Sequence, residues 1–451
     1  MNSSIIRAVV IGLAALLSGG AYADGAALFR AADYIGKTAE AAQLTERERA
    51  RLDKLRSDPA VRSASAVSIN FAALASGAVT VTLPDGQEVQ LLGAAKVANE
   101  KFTHWRGESK DRESSAIIVF SRTDKDEFSG TIRHAGRVFE LFPIRGERRQ
   151  AIVEMNKSTV GDVEVPSPKR EAPATSKAAP GKSARALGAG DPTIRILTAY
   201  TSSASNWLGG ATEARTDQEL SNLNQAFANS GVALNVASAG TLTIPDDFYN
   251  VNGVLFTAAT AQQDLKLLTQ RDQADADVIM ITLKGVDNAT GAAPVYATPE
   301  NAIAAIQATA FGEYAYQHEF GHLAGARHQA SGGVAENDPT SFPAVYGHGY
   351  WVRWPWGTSP VRYYCFHTIM SYAINQAING ACDNTDSRIP NFSNPYINVH
   401  AGLTDMVPSG SGGANNALAL NTLGPAMATF HNTKVSLRST AAVLSSLLLG
   451  D

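Results

Sequence analysis

Residues 318–328 read His318-Glu319-Phe320-Gly321-His322-Leu323-Ala324-Gly325-Ala326-Arg327-His328. Residues four positions apart on a helix lie on the same face, so His318 and His322 can offer two imidazoles to one metal ion. Gly325 tolerates a positive φ, so it can end the helix and turn the chain to bring His328 in as a third ligand. The run therefore predicts a metal site with three histidine ligands and a fourth position open to water.

Glu319 is the candidate catalytic residue because it lies beside the first histidine. A carboxylate at this position is not needed as a ligand, but it can accept the proton of a metal-bound water and pass it to a leaving amine. This chemistry predicts hydrolysis of peptide bonds with one zinc ion as cofactor. A silent zinc-containing domain that serves in adhesion or as an effector is the alternative from another class, and the presence of Glu319 argues against it.

A second motif, Thr368-Ile369-Met370-Ser371-Tyr372, follows the histidines. Together the two motifs resemble the metzincin metallopeptidases, in which a Met-turn packs beneath the zinc ligands. The resemblance implies that Met370 lies under the histidines and that Tyr372 can approach the zinc or the reacting carbonyl. It also implies an α+β fold, in which a twisted mixed sheet and a zinc helix lie above a cleft and an irregular lower subdomain lies below it.

A third run, Arg388-Ile389-Pro390-Asn391-Phe392-Ser393-Asn394-Pro395, extends the resemblance to bacterial peptidyl-Asp metalloendopeptidases and their reprolysin-like relatives. Members of that group cleave on the amino side of acidic residues. Such a preference requires a cation in the pocket that receives the side chain after the scissile bond. Arg388 is the only Arg or Lys between residues 372 and 433, so it is our hypothesis for this cation, with a purely structural role as the alternative.

Composition divides the chain into segments with different roles. The first 23 residues combine Arg7, an apolar stretch and a final Ala-Tyr-Ala, which predicts a secretory signal peptide. Short β-type runs predict a small β-rich pro-domain over residues 24–164. A stretch rich in Pro, Ala, Lys and Ser over residues 165–190 predicts an exposed linker with a processing site. Residues 191–432 form the predicted catalytic domain, and the tail 433–451 has no assigned role.

The two halves differ in charge. Residues 1–190 hold 27 of the 38 Lys and Arg residues, whereas residues 191–451 hold 11 basic and 20 acidic residues. This complementarity suggests that the pro-domain lies on its own catalytic domain as an intramolecular inhibitor, although two independently solvated domains would give the same totals. Expected partners are therefore protein or peptide substrates and the pro-domain, with no nucleic acid and no stable membrane anchor. A secreted enzyme with a single narrow target remains open.

Cys365 and Cys382 are the only two cysteines. In an exported chain they have one possible pairing, so we predict a disulfide beside the Met-turn. The absence of any cysteine before residue 365 excludes a pro-domain that blocks the zinc with a thiolate. Acidic residues are too scattered to predict a calcium site.

The pattern of apolar residues predicts the elements around the zinc helix. Residues 194–200 and 278–283 read as strands, the second buried on both faces. A helix is predicted over residues 217–229, with Thr216 and Glu219 as its capping box and Gly231 at its end. Four further histidines are expected to have structural roles: His104, His134, His348 and His367.

Overall fold

The computed structural model describes residues 25–29, 43–124, 126–156, 163–165, 190–246, 261–284, 289–329, 347–356, 362–372, 387–401, 405–411 and 413–433. The predicted signal peptide, residues 166–189 of the predicted linker, Cys382 and the tail from residue 434 lie outside these residues. No helix among the described residues is both long and apolar enough to cross a membrane.

A nine-stranded sheet forms the N-terminal domain, residues 25–156. Its strands are β1 (Ala26–Phe29), β2 (Val61–Val67), β3 (Ala78–Thr82), β4 (Glu88–Val97), β5 (Phe102–Glu108), β6 (Ser114–Ser121), β7 (Phe128–His134), β8 (Arg137–Pro143) and β9 (Gln150–Met155). They lie in the order β1-β3-β4-β5-β6-β7-β8-β9-β2. All neighbours are antiparallel except β1 and β3. Helix α1 (Glu46–Arg56) begins at a capping box made by Thr45 and Glu48.

A six-stranded mixed sheet organises the second domain. It consists of β10 (Val163–Val165), β11 (Thr193–Thr201), β12 (Asn235–Ile244), β13 (Val278–Leu283), β14 (Gly291–Pro294) and β15 (Ile303–Gln307). The order is β10-β14-β15-β13-β11-β12, and only the pair β14 and β15 is antiparallel. All six residues of β13 are buried, as expected for a central strand with its two faces covered. Four helices accompany the sheet: α2 (Ser202–Trp207), α3 (Thr212–Ser230), α4 (Ala261–Gln273) and α5 (Ala315–Leu323).

Less regular structure follows α5. One small sheet joins β16 (Trp351–Trp356), β17 (Arg362–His367) and β18 (Ser387–Arg388), and a hairpin joins β19 (Asn398–Ala401) to β20 (Asp405–Pro408). Helix α6 (Asn416–Met427) is the last α-helix among the described residues, and a short 3-10 turn (Phe430–Asn432) follows it. The whole is a mixed α+β structure.

Two sequence-based boundaries differ from the structure. Helix α3 begins at Thr212, so Thr216 and Glu219 are buried inside it and the predicted capping box is wrong. Its N-cap residue, Ala211, has no side chain that can cap, and the carboxylate of Glu127 in the N-terminal domain accepts a hydrogen bond from the backbone N–H of Ala214 at 2.8 Å. At the other end, Gly231 closes the helix with φ 68°, as its sequence position indicates.

Strand β10 marks the second difference, because it crosses the predicted boundary between pro-domain and linker. It does not join the nine-stranded sheet but adds to the outer edge of β14 in the second domain. The main hydrophobic core also crosses between domains. Phe142 of β8 packs edge-on against Trp207 of α2 with ring centroids 5.8 Å apart.

Candidate active site

Helix α5 positions the first two histidines in the interior of the protein, because every one of its nine residues is buried. The chain enters α5 through Tyr314, whose φ of 62° is unusual for a residue with a side chain. It leaves through Gly325 at φ 91°, a conformation that suits glycine. The N–H of Gly325 bonds to the carbonyl of His322 at 2.8 Å, and the reversed chain brings His328 back to the helix.

Three imidazole nitrogens converge at this point. The Nε2 atom of His318 lies 3.0 Å from Nε2 of His328 and 3.1 Å from Nε2 of His322. The third side of the triangle, between His322 and His328, is also 3.1 Å. All three side chains are buried, and they form the one group of potential metal ligands found among the described residues.

Backbone carbonyls fix the orientation of two of the rings. Nδ1 of His318 lies 2.7 Å from the carbonyl oxygen of Ile369, and Nδ1 of His322 lies 2.9 Å from that of Ala326. Since a carbonyl oxygen can only accept, each Nδ1 carries the hydrogen and each Nε2 presents a lone pair to the centre. Lone pairs that face one another at about 3 Å need a cation between them. The spacing fits one ion bound at about 2.0–2.1 Å from each nitrogen, the usual distance for zinc.

Glu319 points its carboxylate towards β14, the strand that runs beside α5. A Cβ atom placed on Gly291 would overlap the Oε1, Cδ and Cγ atoms of Glu319. The absence of a side chain at residue 291 is therefore what allows the buried carboxylate to lie against the strand. The structure thus places the carboxylate of Glu319 between α5, the helix that carries it, and Gly291, the first residue of β14.

The Met-turn lies directly below the helix. Met370 is fully buried, and its thioether packs on Gly321, where a Cβ atom would overlap the sulfur. Gly321 lies between the two helical histidines, so the turn supports the helix at the ligands. The Tyr372 hydroxyl is 3.2 Å from Nε2 of His328, so it lies beside the three histidines.

Arg388 lies beside the Met-turn with its guanidinium engaged by three acceptors. Nη1 donates to the carbonyl of Glu313 at 2.6 Å, Nη2 to the carbonyl of Ser371 at 3.1 Å, and Nε to Nε2 of His367 at 3.2 Å. These bonds tie the Met-turn to the residues that lead into α5. Two of the five N–H groups of the guanidinium are not used by these three bonds.

The other histidines singled out by the sequence have polar partners. His348 directs Nδ1 to the carbonyl oxygen of His328 at 2.8 Å, and His134 bonds to Ser114 at 2.7 Å. His104 faces the carboxylate of Asp217 across the domain interface. Sequence spacing could not reveal this last pair, because the two residues are 113 positions apart. Cys365 is fully buried in β17.

A buried pair of polar side chains near the histidines, Gln317 and Glu219, was not predicted from the sequence. Gln317 precedes His318, and its Nε2 donates to the side chain of Glu219 at 2.9 Å and to the carbonyl of Glu219 at 3.0 Å. Burial raises the pKa of Glu219, although the charge of Arg215 and the bond from Gln317 oppose that shift. No local signal in the sequence marks Glu219, since it looks like the capping residue of a helix.

Comparisons with known proteins agree with this geometry. The profile of the reprolysin-like metallo-peptidase family M12B matches residues 214–329, which contain most of α3, the strands from β12 to β15 and all three histidines. A peptidyl-Asp metalloendopeptidase of Xanthomonas campestris pv. campestris is 27% identical over 436 residues, which is 91% of this chain and 96% of that protein. A protein of the same name from Stenotrophomonas maltophilia is 26% identical over 355 residues, 76% of each chain.

Among solved structures, metalloproteinase-II from Bacteroides fragilis matches at 11% identity and a TM-score of 0.35, over 56% of this chain and 81% of that one. The family profile ends just after the third histidine. The family implies a zinc cofactor, and the three buried histidines are a group that could hold a metal ion. This chain is a metallopeptidase, and its residues 214–329 match the reprolysin-like family M12B.

Proposed function

We propose that this chain is a secreted zinc metalloendopeptidase that is made with an inhibitory pro-domain and prefers to cleave before Asp. The observation that carries the catalytic part is the convergence of three Nε2 atoms within 3.1 Å of one another, with Glu319 in the same helix. His318, His322 and His328 would hold the zinc.

Zinc held by these three histidines would supply a Lewis acid that polarises the substrate carbonyl and makes water a better nucleophile. Glu319 accepts the proton of the attacking water and delivers it to the leaving nitrogen. Its contact with Gly291 holds the carboxylate in one position, so that little reorganisation is needed. The Tyr372 hydroxyl donates a hydrogen bond to the carbonyl oxygen as negative charge develops there.

Strand β14 supports the proposal of an inhibitory pro-domain. It is the strand that touches Glu319, and an extended peptide can add to such an edge through backbone hydrogen bonds. In the intact chain that edge already pairs with β10, in parallel register from Val163 opposite Ala292 to Val165 opposite Pro294. The chain between the two domains therefore covers a surface that a substrate would use. An uncleaved protein that hydrolyses peptides as fast as the cleaved protein would contradict this proposal.

A preference for Asp would also explain how the chain matures. The bond Gly190–Asp191 ends the predicted linker, so the enzyme could cut itself there. Pro192 could hinder that cut, and Arg185 offers a trypsin-like alternative. Edman sequencing of the secreted protein would decide between these two processing sites. Self-processing requires that the mature protein begin at Asp191 and that an inactive variant not be cut there.

Two other features complete the proposal. Export through the predicted signal peptide would place Cys365 and Cys382 in an oxidising compartment. Their disulfide would close a short loop beside the Met-turn and stabilise the fold by about 3 kcal/mol in the chain-entropy model.

Chelation tests the proposed function. The mature protein is incubated with a complex peptide mixture before and after treatment with o-phenanthroline, and the products are identified by mass spectrometry. We expect cleavage to stop on chelation and to return when zinc is restored, with Asp enriched after the cut bonds. Cleavage that persists without metal would contradict zinc catalysis, whereas cleavage without enrichment of Asp would contradict only the preference.

A further inference from the structure

Helix α3 is the surface on which the N-terminal domain lies. Near its start, Ala211 and Ala214 share a buried apolar cluster with three side chains of the nine-stranded sheet: Phe102, Ile117 and Val119. Further along, Arg106 donates to Ser221 and to Asn222, both at 2.9 Å. The contact between the domains is therefore apolar at one end of α3 and hydrogen-bonded along its length.

A buried charge cluster lies in the middle of this interface. Arg215 of α3 is 1% exposed and is 2.5 Å from the carboxylate of Glu140 in β8 and 3.2 Å from that of Glu219. Glu219 in turn holds Gln317, which precedes the first zinc ligand. One side chain of the N-terminal domain thus completes a network that ends at the helix of the zinc site.

The physics of buried charge makes this contribution important. Burial alone lowers the pKa of Arg215, but the attraction of Glu140 and Glu219 outweighs it and the pKa is raised. Two carboxylates therefore stabilise a guanidinium that has no access to water in the intact chain. Removing one member of such a group costs far more than replacing the whole group with apolar side chains.

In two further contacts, a side chain of the N-terminal domain stabilises the start of a helix in the second domain. Glu127 caps the start of α3, which has no capping side chain of its own. Arg133 of β7 donates to the carbonyl of Gly312 at 2.9 Å and stacks its guanidinium 4.1 Å from the ring centre of Tyr314. Tyr314 is the residue in the left-handed conformation at which α5 begins. The N-terminal domain thus contacts the start of α3 and the start of α5, the helix that carries His318 and His322.

From these contacts we infer that the N-terminal domain remains docked on α3 after the linker is cut, with Glu140 as the residue that secures it. Cleavage would free the chain around β10 to leave the edge of β14, while residues 43–156 stay in place as a noncovalent subunit. The inference rests on the proposed function only in taking the linker to be the place where the chain is cut.

The test uses the full chain with Glu319→Gln, so that no result depends on peptidase activity. A recognition site for an exogenous protease is inserted within residues 166–189, the purified protein is cut there, and association of the two fragments is measured by sedimentation at decreasing concentration. We expect the fragments to sediment together at micromolar concentration. Separation into two folded species at that concentration would overturn the inference.

Variants identify the residue responsible. Glu140→Gln should weaken the association at least about 100-fold, whereas Glu88→Gln, which changes an exposed carboxylate of the same sheet, should leave it unchanged. If Glu140→Gln prevents folding, Glu140→Leu combined with Arg215→Met and Glu219→Gln removes all three charges of the cluster and should fold and associate. Equal association constants for Glu140→Gln and Glu88→Gln, or a triple variant that folds no better than Glu140→Gln, would contradict the role of Glu140.

Discussion

At the scale of single residues, the Glu319 side chain lies so close to Gly291 that residue 291 has no room for a side chain. Gly291→Ala should therefore displace the carboxylate without removing it. A misplacement of about 1 Å can cost about 10²-fold in rate, so we expect kcat to fall by roughly that factor while the zinc content is unchanged. Peptide kinetics and metal analysis measure the two quantities.

Gly77→Ala is the matched control for this prediction, because a Cβ atom there meets nothing within 4 Å. It should keep the kinetics of the unmodified protein. Equal kcat values for the Gly291 and Gly77 variants would show that the Glu319 carboxylate need not lie where the structure has it.

Arg388 carries a prediction about specificity. If its two remaining N–H groups bind the substrate carboxylate, Arg388→Ala removes charge-assisted hydrogen bonds worth about 1.5–3 kcal/mol. The ratio of kcat/KM for matched Asp and Leu peptides should then fall about 10- to 100-fold, with partial retention in Arg388→Lys. If Arg388 only ties the Met-turn to α5, both peptides lose activity equally and the ratio stays constant, which would remove the hypothesis.

The spacing of the histidine run was enough to predict which side chains gather at the zinc site. A helix brings residues four apart together, and a glycine in the left-handed conformation returns the chain for the third ligand. The partners of Arg388 could not be predicted in this way. They are backbone carbonyls of Glu313 and Ser371, and nothing in the sequence shows which distant carbonyls a guanidinium will reach.

At the scale of elements, helix α3 depends on a cap from another domain, and this gives a prediction about pH. Burial raises the pKa of Glu127 above its ordinary value of 4.5. The folded protein then holds a proton that the unfolded chain has already lost, so the stability contributed by Glu127 falls as pH rises through its folded pKa. Glu127→Gln keeps an oxygen for Ala214 but cannot ionise.

We therefore expect the difference in unfolding free energy between Glu127→Gln and the unmodified protein to shift in favour of the variant as pH rises from 4.5. Urea denaturation across this range measures it, and Glu88→Gln serves as the exposed control. A difference that stays constant with pH, or that shifts in the opposite direction, would mean that Glu127 is not held in the folded state as the structure shows.

The same helix shows where prediction from sequence fails. Thr216 and Glu219 have the spacing of a capping box, but both are buried mid-helix because their partners come from elsewhere in the fold: Tyr200 for Thr216, and Arg215 and Gln317 for Glu219. The strand β13 was predicted correctly because a continuous apolar run needs no particular partner to be buried.

At the scale of the whole molecule, the opposite charges of the two halves pointed to contact between them, and the structure adds where that contact lies. A count of charges cannot distinguish a loose electrostatic association from a buried ion pair such as Arg215 with Glu140. Nor could the sequence show that β10 pairs with β14 of the second domain and not with the nine-stranded sheet, because strand partners are fixed by the tertiary fold.

We propose that Glu319 performs acid–base catalysis beside a zinc ion that His318, His322 and His328 would hold. Glu319→Gln tests it most directly when zinc content and peptide hydrolysis are measured on the same preparation of processed protein. We predict one zinc ion per chain, as in the unmodified enzyme, with kcat lowered at least about 10²-fold. A variant that keeps its zinc and hydrolyses peptides at nearly the original rate would contradict the catalytic role of Glu319.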